Sequence, residues 1–116
     1  MNNLDEREAG MKFILNGRSF DTISSTKVAV SRGQVPQPPG WRHDSDVPEV
    51  RYERILFKTA KGAFFVHDHE TTKYLKGKPV VSDAAYEKSP EEAMKWIENE
   101  GAMILDASGL PLPDEA

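Results

Sequence analysis

Cysteine is missing from this chain, which excludes disulfide bridges, thiolate nucleophiles and cysteine-bound zinc. Long apolar runs are missing as well, because stretches such as 63–66 fall far short of the roughly 20 residues that span a bilayer. The first residues also lack the basic and then apolar order of a signal peptide. We therefore expect a soluble, cytoplasmic protein that makes no membrane contact.

Motifs that carry catalysis are also lacking. No Gly-x-Ser-x-Gly element surrounds any serine, and the glycines occur singly rather than in a phosphate-binding loop. We therefore expect a protein that is not an enzyme, with no catalytic residue and no cofactor.

The length of 116 residues, of which 38% are hydrophobic, suits one small domain with a single core. The polar, aperiodic residues 1–10 predict a disordered tail, and the pattern from 11 to 105 predicts one folded domain. Residues 106–116 are expected to form a flexible acidic tail.

Two β-hairpin patterns are the clearest local features. Asn16 and Gly17 separate the apolar run 13–15 from the returning segment 18–20, and this residue pair favours the tight turn of a two-residue hairpin. The second hairpin pairs 49–58 with 63–67 across a turn that ends at Gly62.

Weaker patterns fill the remainder of the domain. A β-branched strand is expected over 27–31, a long loop over the proline-rich segment 32–48, a short helix over 70–76, and extended pieces at 79–81 and 85–86.

A C-terminal helix has the fullest set of boundary signals. Ser89 suits the N-cap, Pro90 the first helical position, Glu92 the reciprocal capping position and Gly101 the end. Ala93, Trp96 and Ile97 share one apolar face of this helix. The predicted fold class is α+β, a small antiparallel sheet of about four to five strands, including two hairpins, packed by one amphipathic helix.

The segments FILNGRSFDT, LFKTAKGAFFVH and SPEEAMKW together resemble small, uncharacterised bacterial proteins carried on phages and other mobile elements. The resemblance covers about two thirds of the chain and omits both tails and the proline-rich loop. It implies an accessory role such as the inhibition of a host-defence component, in the manner of anti-CRISPR proteins. It transfers no catalytic residue.

Charge is unevenly distributed along the chain. Residues 51–78 contain seven Lys or Arg against three Asp or Glu, whereas 79–116 contain two against nine. The acidic third can dock on a basic surface, such as the nucleic-acid groove of a partner protein. The basic hairpin, with its aromatic residues, favours nucleic-acid binding instead. The candidate partner-binding residues are Arg51, Arg54, Lys58, Lys61, Glu91, Glu98 and Glu100.

Trp41 completes the candidate partner-binding residues. A large aromatic residue in a polar, proline-rich loop either packs back on the sheet or anchors an interface, and the sequence leaves both alternatives open.

His67, Asp68, His69 and Glu70 form the best metal candidate, because strand alternation sends both histidines to one face. We nevertheless expect no tight metal. The histidines flank a predicted turn at the strand end, no third histidine lies at a usual ligand spacing, and His43 belongs to the proline-rich loop.

The leading hypothesis is a nonenzymatic interaction module that binds another macromolecule, with a host-defence protein as its partner. The alternative is a nucleic-acid-binding accessory protein that uses the basic hairpin 51–78. A small homo-oligomer is compatible with either.

Overall fold

Seven strands and one helix occur in the residues that the structure, a computed structural model, describes: 10–35, 49–74, 77–107 and 110. In chain order they are β1 (Lys12–Leu15), β2 (Arg18–Asp21), β3 (Thr26–Gln34), β4 (Glu49–Lys58), β5 (Phe64–Lys73), β6 (Val80–Lys88), α1 (Pro90–Glu100) and β7 (Met103–Ile104). Trp41 and most of both predicted tails lie outside the described residues. Within these ranges no helix has the length and apolar character that a bilayer span requires.

The main sheet contains five antiparallel strands in the order β6-β5-β4-β3-β7. Its centre is the second predicted hairpin, β4 and β5, which pair without interruption from Glu49↔Lys73 to Lys58↔Phe64. Gly62 closes their turn with φ of 90°, a backbone angle that favours glycine. The predicted α+β class, with its antiparallel sheet and C-terminal helix, is confirmed.

Helix α1 covers one face of this sheet. Because side chains alternate along a strand, Leu56, Phe64 and Val66 point to the same side, where they form a core with Ala93 and Ile97. Trp96 is half-buried against this core, so the predicted apolar face of the helix is confirmed. The N-cap and capping box at Ser89 and the left-handed C-cap at Gly101 are also confirmed.

The first hairpin, β1 and β2, covers the opposite face as a separate two-stranded sheet. Asn16 and Gly17 have φ of 52° and 76°, as the predicted tight turn requires. The ring of Phe20 meets that of Phe65 edge-on at 5.2 Å, and Phe65 in turn stacks on Phe57 at 5.0 Å. The five-stranded sheet is thereby enclosed by a helix on one side and a hairpin on the other.

The predicted short helix over 70–76 is wrong. Residues 70–73 continue strand β5, where Thr71 and Thr72 pair with β4 on one side and with Val81 and Val80 of β6 on the other. β-Branched residues favour strands, and the two neighbouring strands supply hydrogen-bond partners for the backbone of this segment. The two extended pieces expected near 79–81 and 85–86 are likewise parts of the single strand β6.

Candidate functional site

Strand β6 is an open edge of the main sheet. It pairs with β5 from Phe64↔Lys88 to Thr72↔Val80, and no strand of the described ranges pairs with its outer side. The opposite edge is formed by β7, which has only two residues. A nine-residue edge leaves a row of backbone N–H and C=O groups directed outward, and such a row is a template for another strand.

Strand β6 is protected mainly at its C-terminal end, where the side chains of Asn16 and Arg18 of the first hairpin contact Glu87. Its pairing with β5 contains no bulge. Pro79 lies before the strand, and the one lysine of the strand, Lys88, is its last residue. Val80, Val81 and Tyr86 are each more than half exposed, at 53%, 54% and 53%. The edge therefore offers apolar side chains beside its unpaired backbone.

Acidic side chains follow this edge along the chain, because β6 leads through Ser89 directly into α1. Glu91 and Glu98 are both exposed on the helix. The last turn of the helix contains no basic residue, although the helix dipole favours positive charge there. Glu98 therefore adds negative charge at a position where it does not stabilise the helix.

Arg54 is held inside the fold. Its guanidinium lies 3.3 Å from Asp68 and 3.0 Å from Glu100, and it stacks over the ring of Tyr52 at 4.1 Å. Partial burial opposes its charge, but the hydrogen bond to Glu100 and the charge of Asp68 outweigh that effect and raise the pKa of Arg54. This ion-pair network ties β4 and β5 to the end of α1.

The other predicted basic residues are spread over different surfaces. Arg51 pairs with Glu49 at 3.0 Å and lies on the face of β4 opposite to Arg54. The ammonium of Lys58 lies 5.5 Å from the ring centroid of Phe64, and Lys61 is exposed in the β4–β5 turn. The structure thus brings Arg54 and Glu100 together but does not gather the four basic residues into one patch.

His67, His69 and Asp83 form a cluster on the side of the sheet that the first hairpin covers. Oδ1 of Asp83 lies 2.7 Å from Nε2 of His67 and 2.8 Å from Nδ1 of His69. Partial burial acts to raise the pKa of Asp83, but the hydrogen bonds from His69 and His67 outweigh it and lower that pKa. Among the described residues, these three bring ligand atoms close enough to share one metal ion.

The sequence pattern indicated both histidines as metal candidates but not Asp83. The carboxylate comes from the neighbouring strand, where Asp83 pairs directly with His69. The sequence does not reveal this register, because the segment that forms β6 shows only weak extended patterns.

Comparison with protein-family models, with curated proteins and with solved structures finds no match to this chain. The edge strand, the charged helix and the histidine cluster are consequently the features that indicate a function.

Proposed function

We propose that this protein is a nonenzymatic binding module that accepts an extended segment of another protein along strand β6. The observation that carries the proposal is the long, regular and open edge of the main sheet. Strand addition at such an edge gains affinity from backbone hydrogen bonds and specificity from alternating side chains.

The side chains of β6 indicate the chemistry of the partner. Val80 and Tyr86 lie on the side of the sheet that carries α1, and Val81 lies on the other side. An added strand with apolar residues on both faces would cover them and would bury apolar area. The exposed Glu91 and Glu98 of the adjoining helix favour a partner with a basic surface beside that strand.

The resemblance stated from the sequence, to which the comparisons add no match, implies a more specific form of this proposal. The partner is then a component of bacterial defence, such as a nucleic-acid-binding protein with a basic groove, which this protein inhibits by occupying that surface in the cytoplasm.

A capture experiment tests the proposal. The immobilised protein is exposed to a nuclease-treated bacterial lysate, together with the double variant Val80→Lys, Val81→Lys. Lysine on an edge strand opposes further pairing, and both valines are exposed, so the fold should be kept. The control is Ile14→Lys, Ile23→Lys, which places two lysines at apolar positions near the first hairpin that are more exposed than the two valines.

We expect the wild type and the control to retain the same protein, and the β6 variant to lose it. Equal retention by all three proteins would contradict docking at β6. Capture that occurs only without nuclease, and that weakens steeply with salt, would favour the nucleic-acid alternative. A wild-type dimer that the β6 variant converts to a monomer would assign the edge to a second copy of this chain instead.

A further inference from the structure

The histidine cluster has the composition and placement of a metal site. We propose that His67, His69 and Asp83 together bind one divalent transition-metal ion of the zinc type. Two imidazole nitrogens and one carboxylate oxygen are ligands that such ions take in proteins, and three protein ligands leave a further position for water. This inference is independent of partner binding at the outer side of β6.

The distances in the cluster require only a small rearrangement. The three ligand atoms lie within 4.8 Å of one another, with Asp83 Oδ1 at 2.7 and 2.8 Å from the two ring nitrogens. A tetrahedral ion with bonds of about 2.0 Å spaces its ligand atoms about 3.3 Å apart. Side-chain rotation that opens each nitrogen-to-oxygen distance by about half an ångström, and brings the two ring nitrogens from within 4.8 Å to about 3.3 Å of each other, makes room for the ion.

The proton positions adjust without any backbone change. Nε2 of His67 and Nδ1 of His69 now share hydrogen bonds with Asp83. In the metal-bound form each of these nitrogens presents its lone pair to the ion. The neutral imidazole then carries its proton on its other ring nitrogen.

The backbone that holds the ligands is regular. The sequence pattern predicts both histidines at a strand end, where ligands would be poorly ordered, and that prediction disfavours a metal. In the structure β5 continues to Lys73, and both His67 and His69 pair with strands on either side. Asp83 on the neighbouring strand adds a carboxylate ligand that the spacing around the histidines does not reveal.

The three side chains of the cluster differ in how deeply they are buried. The side chains of His67 and Asp83 are 14% and 19% exposed, whereas that of His69 is 40% exposed. The ring of Phe13 lies 5.2 Å from that of His67 and shields the inner side, so water and an entering ion reach the site beside His69. Glu53, across from His69 on β4, is itself paired with Arg32, so Asp83 is the carboxylate that supplies negative charge to the cluster.

Zinc titration of the full chain tests the proposal. Binding is followed by calorimetry and by thermal unfolding with zinc or with a chelator, for the wild type, Asp83→Asn and His69→Ala. Asp83→Asn keeps the size of the side chain and removes the charge. The matched control is His43→Ala, which removes the remaining histidine of the chain.

We expect one zinc ion per chain for the wild type and for His43→Ala. Free zinc at 100 times the Kd should lower the unfolding equilibrium constant about 100-fold. Asp83→Asn and His69→Ala should each weaken zinc affinity tenfold or more, because even residues that only orient ligands change affinity by about 10–100-fold. In proton NMR spectra, zinc should shift the imidazole signals of His67 and His69 and leave those of His43 in place.

Superimposable melts with zinc and with chelator would overturn the proposal. Zinc binding that His43→Ala abolishes, or that Asp83→Asn and His69→Ala both leave unchanged, would also overturn it. If one variant fails to fold, the zinc-induced shifts of the imidazole signals in the wild type still test whether His67 and His69 bind the ion.

Discussion

Replacing Arg54 with methionine should destabilise the fold, although sequence analysis placed this residue among the partner-binding candidates. The substitution keeps the apolar stem but removes the guanidinium that joins Asp68 to Glu100. Both carboxylates then lose their cation while remaining mostly covered by protein.

The expected cost follows from the burial of the three side chains. Their exposed fractions are 28% for Arg54, 14% for Asp68 and 24% for Glu100. Exposed ion pairs contribute about 0–1 kcal/mol, and breaking a fully buried pair costs about 3–5 kcal/mol. An intermediate cost of about 2–3 kcal/mol is expected, including the lost stacking on Tyr52.

Chemical and thermal denaturation measure this cost. For a domain of this size about 1 kcal/mol corresponds to about 4 °C in Tm, so a decrease of about 8–12 °C is expected. The control is Arg51→Met, because the pair of Arg51 with Glu49 is exposed and should contribute less than about 1 kcal/mol.

A second substitution tests the stated cause. One oxygen of Asp68, Oδ1, is buried and has no hydrogen-bond partner among the residues that the structure describes, so a carboxylate left without its cation should account for much of the loss. The double variant Arg54→Met, Asp68→Leu should therefore be more stable than Arg54→Met alone. If Arg54→Met is as stable as Arg51→Met, Arg54 is a free surface residue and our account of the network fails.

Two further predictions concern the helix cap and the aromatic core. Ser89→Ala should lower the free energy of unfolding, measured by urea denaturation, by about 1 kcal/mol. The control Ser24→Ala, in an exposed turn, should cause no measurable loss. The hydrogen bond from the Ser89 backbone N–H lowers the pKa of Glu92. The contribution of Glu92 to folding stability is therefore present above the ordinary carboxyl pKa and is lost as the pH falls through the lowered pKa. An NMR titration that shows an ordinary pKa for Glu92 would contradict the capping box. Phe65→Leu should cost about 1–3 kcal/mol, because it removes two ring contacts while keeping most of the volume, and an unchanged midpoint would show that the hairpin does not depend on them.

Local features of the fold were predictable from sequence because short-range chemistry determines them. The turn at Asn16 and Gly17 requires residues that tolerate positive φ, and the cap at Ser89 requires an oxygen at one position and a carboxylate three residues later. The apolar face of α1 follows from helical periodicity.

Long-range features were not predictable in the same way. Nothing in the segment 70–73 reveals that β6 lies beside it, and that neighbour is what extends β5 past the expected strand end. The same register places Asp83 against His69, so the third member of the histidine cluster depends on a pairing that sequence spacing does not contain. Arg54 was assigned to a surface because its partners Asp68 and Glu100 are distant in sequence.

Amide hydrogen exchange along β6 tests the proposed docking edge most directly. In an antiparallel edge strand, alternate N–H groups point away from the sheet and exchange readily. We predict this alternation over 80–88 in the free protein, and slow exchange at the same outward amides once the captured protein is bound. Unchanged exchange along β6 in the complex, with protection appearing elsewhere, would contradict the account.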